Sequence, residues 1–371
     1  MTDLFVGGAL CVPDVRDAVL GHGLLPDQML PSVLADHALV ICDPAHHPCV
    51  VPSEGAAVHG LCLSGLSEAD RAAIRYYETC FGRRPVAATV DSGAGPREVE
   101  IAVGSDLPQI PHADLAEWAA EWGGVAARMA TEIMAYSTRK PAEDMTKSLF
   151  SMRIRASAWQ SAQARPADPA RDLSRDVVVK AYKREYVNFF AMEEMDLQYR
   201  KFDGSMSPVI NRGVALVGEA AVVLPYDIRR DAVLLIEQFR AAIFIAGEMD
   251  PWTWEPPAGL LDPGETPEAA ARREAKEEAG LDLTHLECIA SLYPSSGSSG
   301  EYVHIFCGLA DFSSIEGGGG VPSEGEDIRS KVISFQELMD GVDTRTYQDM
   351  PLVTAALWLA RHRDRLRAEF G

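Results

Sequence analysis

Glu274, Glu277 and Glu278 lie three and four residues apart in the stretch GLLDPGETPEAAARREAKEEAGL, residues 259 to 281. On a helix that spacing brings all three carboxylates to one face, where like charges repel and a purely structural helix gains nothing. A divalent cation removes the conflict. Hard oxygen donors on a partly open face suit Mg²⁺ or Mn²⁺, which keep several waters and accept phosphate oxygens. The chemistry implied is metal-assisted work on a phosphate anion. The competing reading is a solvated acidic face with Arg272, Arg273 and Lys276 as partners one turn away. The fixed spacing of Gly259, Glu265, Arg273, the three glutamates and Gly280 favours the cation, because chance would produce it in roughly one in a million chains of this size.

The element that must hold these groups is a short helix. Thr266 followed by Pro267 reads as an N-cap and first helical residue, EAAARREAKEEA is rich in helix formers, and Gly280 suits the position just past the end. With those residues in place the stretch resembles the Nudix box, with Ala275 in its small apolar slot. The resemblance implies a hydrolase of nucleoside diphosphates linked to another group. Mg²⁺ or Mn²⁺ would be held mainly by Glu274 and Glu278 with help from Glu277, and Arg273 would orient the glutamates.

Outside the box, EAAVVLPYD, LLIEQFRAA, EPPAGLLDPGE, GSSGE (297–301) and EGEDI (324–328) are similar to the ADP-ribose pyrophosphatase and nucleoside-diphosphate-sugar hydrolase branch of that family. This implies that Ala258 gives its carbonyl to a metal, that Arg212 and Arg240 hold the diphosphate, and that Glu301 contacts substrate. A guanidinium is apt there, since it stays charged and grips two phosphate oxygens at once. Carboxylates occupied by metal cannot also deprotonate the attacking water, so a separate glutamate is needed; Glu326, then Glu324, beside the glycines at 317 to 320, are the candidates.

The expected reaction is hydrolysis of ADP-ribose to AMP and ribose 5-phosphate. Ser296 stands where that branch usually carries Pro, and Pro294 lies two residues earlier, which leaves GDP-mannose-type substrates open. A non-catalytic nucleotide-sugar sensor is the reading from another class, and the intact box glutamates argue against it. The resemblance also implies a homodimer that exchanges N-terminal strands.

Residues 1–112 read as a small β-barrel-like domain. Strands are expected at DLFVGGALC, HALVICD, AAVHGLCLSGL, PVAATVD and REVEIAVG, with one helix at SEADRAAIRYYETCFG. The region resembles the gamma-glutamylcyclotransferase-like fold, in which a Tyr-Gly-Ser/Thr-Leu loop faces one acidic residue. Here the loop is Gly7-Gly8-Ala9-Leu10 and the acid is Glu78. Gly7 and Ala9 lack the phenol and hydroxyl, while the backbone retains an anion-binding nest and Glu78 the chemistry of a general acid or base. A scaffold role for Glu78 competes with catalysis. The pairing of this region with the Nudix-like one resembles bacterial proteins associated with tellurite resistance.

Residues 113–164 read as a helical extension, with Leu115, Trp118, Trp122, Val125, Met129 and Ile133 forming a core-facing stripe. Pro-rich 165–172 is the expected linker. Residues 173–371 read as the second domain, a mixed sheet flanked by helices in an α/β/α sandwich, so the fold class is α/β (α+β). With 371 residues, two domains are the natural division. A net charge of -21 opposes nucleic acid or an anionic membrane as partner. Seven cysteines without a C-x-x-C pair read as reduced thiols in the cytoplasm. His46, His47 and Cys49 read as a surface turn. With no basic leader and no apolar run long enough to span a bilayer, neither export nor membrane insertion is expected.

Overall fold

The computed structural model describes residues 2–42, 46–104, 109–110, 114–313 and 327–371. The chain divides into two compact units, Met1–Val214 and Ala215–Gly371.

In chain order the first unit contains β1 (Asp3–Val6), α1 (Pro13–Leu20), β2 (Met29–Cys42), β3 (His47–Leu63), α2 (Glu68–Cys80), β4 (Arg84–Asp91), β5 (Pro96–Val103) and β6 (Gln109–Ile110). It continues with α3 (Leu115–Met134), α4 (Ala142–Met145), α5 (Leu149–Ala164), α6 (Leu173–Asp176), β7 (Val177–Val187) and β8 (Ala191–Tyr199), and β9 (Ile210–Leu216) crosses the boundary. The strands run β3-β1-β5-β4-β2, and β2 pairs back onto β3, so five strands close into a barrel. Alternation puts Phe5, Leu34, Val50, Val58, Val90, Val99 and Ile101 into one shared core. Leu4, Val6 and Leu63 instead pack against the helices. In α3, Trp118, Val125, Met129 and Ile133 are buried and Leu115 and Trp122 pack beside them, so the tryptophans are core residues.

Three expectations are corrected. Cys42 and Cys49 form a disulfide, because the β2–β3 hairpin folds them back to a Cα separation of 6.2 Å; among the described cysteines Cys11, Cys62, Cys80, Cys288 and Cys307 are free. His47 is buried rather than at a surface turn, enclosed by Tyr77, Phe81 and Trp118. Residues 165–172 lie inside the first unit, and the boundary falls at 214/215 rather than after a linker. The cause is the three-stranded sheet β7-β8-β9, whose β7 end is tied to the helices before it. Arg139 donates to the Arg184 carbonyl at 2.5 Å, Lys140 to Val187 at 3.1 Å and Arg155 to Phe189 at 2.7 Å.

The second unit contains β10 (Glu219–Asp227), β11 (Ala232–Phe239), α7 (Ala241–Ile245), β12 (Trp252–Glu255), β13 (Ala258–Leu260), α8 (Pro267–Ala279), β14 (His285–Leu292), β15 (Tyr302–Leu309), β16 (Arg329–Ser334), α9 (Phe335–Asp343) and α10 (Met350–Phe370). Its sheet runs β12-β11-β10-β15-β14, with β13 on β10 and β16 on β11. The β10–β15 pair is parallel and β10–β11 antiparallel, so the sheet is mixed. Every residue of β10 is buried. Leu224, Tyr226 and Ile305 pack against α10 through Leu352, Ala355 and Leu359, whereas Val223, Leu234 and Phe306 meet Ala270, Ala271 and Ala275 of α8. Small alanines let α8 sit close to the sheet. No helix among the described residues is long and apolar enough to cross a membrane.

Candidate functional site

Thr266 caps α8 by accepting from the Ala269 N–H at 3.2 Å, Pro267 follows, and Gly280 ends the helix at φ 67°. The face that carries the alanines inward also carries Glu274 and Glu278, both buried, while Glu277 is exposed. Glu278 Oε2 accepts the Ala258 N–H at 2.8 Å, and Gln238 Nε2 stands 3.5 Å from Oε1. Glu274 lies against the backbone of Gly259, the residue paired with Ala221 of the central strand.

Arg273 divides its guanidinium between two tasks. Nε and Nη2 donate to Glu265 at 3.0 and 2.9 Å, and Nη2 also to the Leu260 carbonyl at 3.0 Å. Nη1 donates to Glu274 at 2.5 Å and Glu277 at 3.2 Å. One edge therefore fixes the arginine to the loop before α8, and the other meets the helix glutamates. Burial pushes the Glu265 carboxyl up, but the Arg273 hydrogen bonds, the Asp262 N–H and the Arg273 charge together outweigh it and hold its pKa below the usual value. Among the described residues no group of three or more His, Cys, Asp or Glu side chains stands in metal-holding geometry; Arg273 meets the charge of two of the three helix carboxylates instead. The donor set remains suited to a hard cation, since it is all oxygen and a glycine backbone backs Glu274 closely.

A second set of acids surrounds Arg240 at the end of β11. Its Nε donates to Glu255 Oε2 at 3.1 Å and its Nη2 stands 2.9 Å from Oε1. Burial raises the Glu255 pKa to about 6, and Arg240 opposes the rise. Glu301 and Asp349 are both raised by burial and partly lowered by Arg240. Asp349 also caps α10 by accepting the Leu352 N–H at 2.7 Å. Arg240 also feels the charge of Glu278, which links the two sets.

Of the residues expected from sequence, the second unit thus brings together Ala258, Arg273, Glu274, Glu277 and Glu278, with Arg240 and Glu301 in the adjoining acidic set. Arg212 lies on β9 in the first unit, exposed, donating to its neighbour's carbonyl at 2.7 Å. Glu324 and Glu326 lie outside the described residues. Glu78 lies in the first unit, buried and 2.5 Å from Arg83. Sequence reasoning missed Glu255, Gln238 and Asp349. Glu255 and Gln238 sit inside the segments EPPAG and EQFR already singled out, whereas Asp349 carried only the weak signal of an Asp before a helix.

A profile of the NUDIX domain matches residues 217–356. The ADP-ribose pyrophosphatase of Escherichia coli (strain K12) is 36% identical over 196 residues, covering 53% of this chain and 93% of that protein. The GDP-mannose pyrophosphatase of Cronobacter sakazakii is 34% identical over 167 residues, covering 45% of this chain and 85% of that protein. A crystal structure of an ADP compounds hydrolase aligns with TM-score 0.41 and 21% identity, covering 53% of this chain and 97% of that one. With its box residues gathered on α8 and a relative matched over nearly its full length, the chain belongs to the Nudix hydrolases, enzymes that act on diphosphates.

Proposed function

We propose that the second unit hydrolyses the diphosphate of a nucleoside diphosphate sugar, with ADP-ribose as substrate and AMP and ribose 5-phosphate as products. The observation that carries this reading is the clustering of Glu274, Glu277 and Glu278 on α8, one of them backed by Gly259, in a unit that also holds the Arg240 set. The name of the E. coli relative supports ADP-ribose in particular.

In this reading Glu274 and Glu278, with Glu277 and the Ala258 carbonyl, hold Mg²⁺ or Mn²⁺. The bound ion supplies charge neutralisation of the diphosphate and activation of water. With a cation held by Glu274 and Glu277, Arg273 would still have its Glu265 and Leu260 bonds, which would keep the loop before α8 anchored. Arg240 grips phosphate oxygens, and Glu301 orients the substrate. Glu326, or failing it Glu324, takes the proton from the water that attacks phosphorus. The chain works as a homodimer. The first unit, with its gamma-glutamylcyclotransferase-like fold, acts as a scaffold as far as acid–base chemistry goes, since Arg83 already claims the Glu78 carboxylate.

The test is a panel of nucleoside diphosphate sugars with Mg²⁺ or Mn²⁺, scored by phosphate released after coupling to phosphatase. ADP-ribose should give the highest kcat/KM. The second reading, GDP-mannose, is favoured by the Cronobacter relative and gains if that sugar ranks first. Calorimetric binding without product after long incubation would instead point to a sensor, and light scattering reads the oligomeric state.

A further inference from the structure

Five charged side chains of the first unit, none of them used in the proposed hydrolysis, pack together where α3 and α5 meet β7 and β8. Arg128 and Glu132 lie one turn apart on one face of α3, and Tyr136 follows just past its end. Arg155 comes from α5, and Arg184 of β7 stands opposite Glu193 of β8. Glu132 accepts from Arg155 Nε at 3.1 Å and Nη2 at 2.6 Å, and Glu193 Oε1 accepts from Arg184 Nε at 2.9 Å. Each carboxylate thus has its own arginine. Arg128 is the extra cation, its Nη2 4.0 Å from Glu193 Oε2.

Three guanidinium groups therefore face two carboxylates. Side-chain exposure is 4% for Arg155, 9% for Arg184 and 16% for Arg128, so solvent screens little of the surplus. Two donors at the same place also lack an acceptor. Arg184 Nη2 and the Tyr136 hydroxyl are both buried, and neither has a hydrogen-bond partner among the described residues. The two groups are close enough to act on each other electrostatically. Burial and the charge of Arg128 hold the Arg184 pKa below its usual value, the direction expected where positive charge is incompletely met. Burial also pushes the Glu193 carboxyl up to about 7, so near neutral pH it carries less than a full negative charge. A water satisfies the donors and leaves the surplus charge; an anion answers both.

We propose that a small monovalent anion, chloride in size and charge, binds between Arg184 Nη2 and the Tyr136 hydroxyl, with Arg128 supplying the balancing charge, and pins β7 and β8 to α3. One negative charge matches a surplus of one cation. Because both donors are buried, the guest enters stripped of water, which costs a halide far less than a doubly charged sulfate or phosphate. The carbonyls at the end of α3, which would repel it, are already taken by the Tyr136 and Ser137 amides and by Arg139.

The test heats the full-length protein at pH 7 in sodium chloride, bromide or gluconate of equal ionic strength, read by differential scanning calorimetry, and soaks crystals grown in gluconate with bromide for anomalous scattering. Chloride and bromide should raise the unfolding temperature saturably and gluconate should not. A bromide peak should lie in contact with Arg184 and Tyr136. Tyr136→Phe removes a hydroxyl without a partner among the described residues, so in gluconate it should unfold at the wild-type temperature, while its halide affinity should fall at least about tenfold. Arg128→Met removes the surplus charge, leaves the Arg184–Glu193 pair in place and should weaken halide binding to a similar extent. Equal unfolding temperatures in chloride and gluconate, a water where the bromide is expected, or a halide response unchanged in either variant would overturn the proposal. None of these readouts measures diphosphate hydrolysis, so they stand or fall apart from it.

Discussion

Gly259 and Glu274 touch so closely that a Cβ on the glycine would lie 1.9 Å from one carboxylate oxygen and 2.9 Å from the other. The contact joins β13 to α8 and sets where that carboxylate sits. Only glycine allows the approach. Gly259→Ala should displace Glu274 and lower kcat/KM by roughly ten- to a hundredfold, with unfolding temperature and circular dichroism near wild type. An alanine variant with wild-type kinetics would show that the Glu274 position is irrelevant to turnover.

Glu278 allows charge and hydrogen bonding to be separated. Its Oε2 accepts the Ala258 N–H, and a glutamine carbonyl accepts that bond equally well. Glu278→Gln should therefore stay folded while losing at least about a hundredfold in kcat, as expected when a metal-binding charge is removed. Steady-state kinetics at saturating Mg²⁺ decide the matter, and full activity in the variant defeats the metal assignment.

Local signals carried much of this structure. The α8 boundaries followed from Thr266, Pro267 and Gly280 because cap chemistry is local. The α3 stripe followed from periodicity, and the α8 carboxylates from spacing alone. Arg240 and Glu301 followed only from the resemblance, and their partners Glu255 and Asp349 did not follow at all, since β11, β12 and α10 converge only through sheet pairing and packing. Helix α1 went unread although Pro13 and Gly21, at φ 77°, bracket it, because eight residues give too little periodicity. The position of Gly7 was readable only as a missing phenol; the structure adds that a Cβ there would meet Val58 at 2.7 Å. The boundary at 214 escaped because hydrogen bonds from Arg139, Lys140 and Arg155 tie β7–β8 to the helices, while composition pointed to the Pro-rich 165–172.

Arg273 depends on the shape of its fork. One edge serves Glu265 and Leu260 and the other Glu274 and Glu277, a division that a single ammonium cannot reproduce. Arg273→Lys should cost about 2 kcal/mol from lost charge-assisted bonds, read as a lower denaturation midpoint, and should also lower kcat. Wild-type stability in the lysine variant would mean that charge alone suffices.

Glu193, in the first unit, makes stability depend on pH. It is buried, and burial raises its pKa to about 7 although Arg184 donates to it at 2.9 Å. A carboxyl raised in the folded state contributes stability below its unfolded value near 4.5, and loses that contribution as pH climbs through about 7. Relative to wild type, Glu193→Gln should gain several degrees in unfolding temperature between pH 5 and pH 8. Differential scanning calorimetry at the two pH values measures it, and a difference that does not change with pH rules the effect out.

Glu255 and Arg240 make ligand affinity depend on pH in a direction that can be worked out. The pair closes at 2.9 and 3.1 Å, and Glu255 titrates near 6 because burial outweighs the arginine. Below that pH Glu255 becomes neutral and stops competing for the guanidinium. Glu301 and Asp349, also raised and also facing Arg240, act in the same sense as they protonate. The diphosphate of ADP-ribose stays ionised throughout the range, so a change in affinity belongs to the protein. Binding of ADP-ribose to the E278Q variant without added cation should therefore tighten several-fold from pH 7.5 to 5.5. Adding Glu255→Gln should give tighter binding at pH 7.5 and remove most of the dependence, leaving the smaller part from Glu301 and Asp349. Calorimetric titration at both pH values provides the comparison. Affinity that weakens on acidification, or a dependence that survives the second substitution in full, would show that Glu255 does not hold Arg240 back from phosphate.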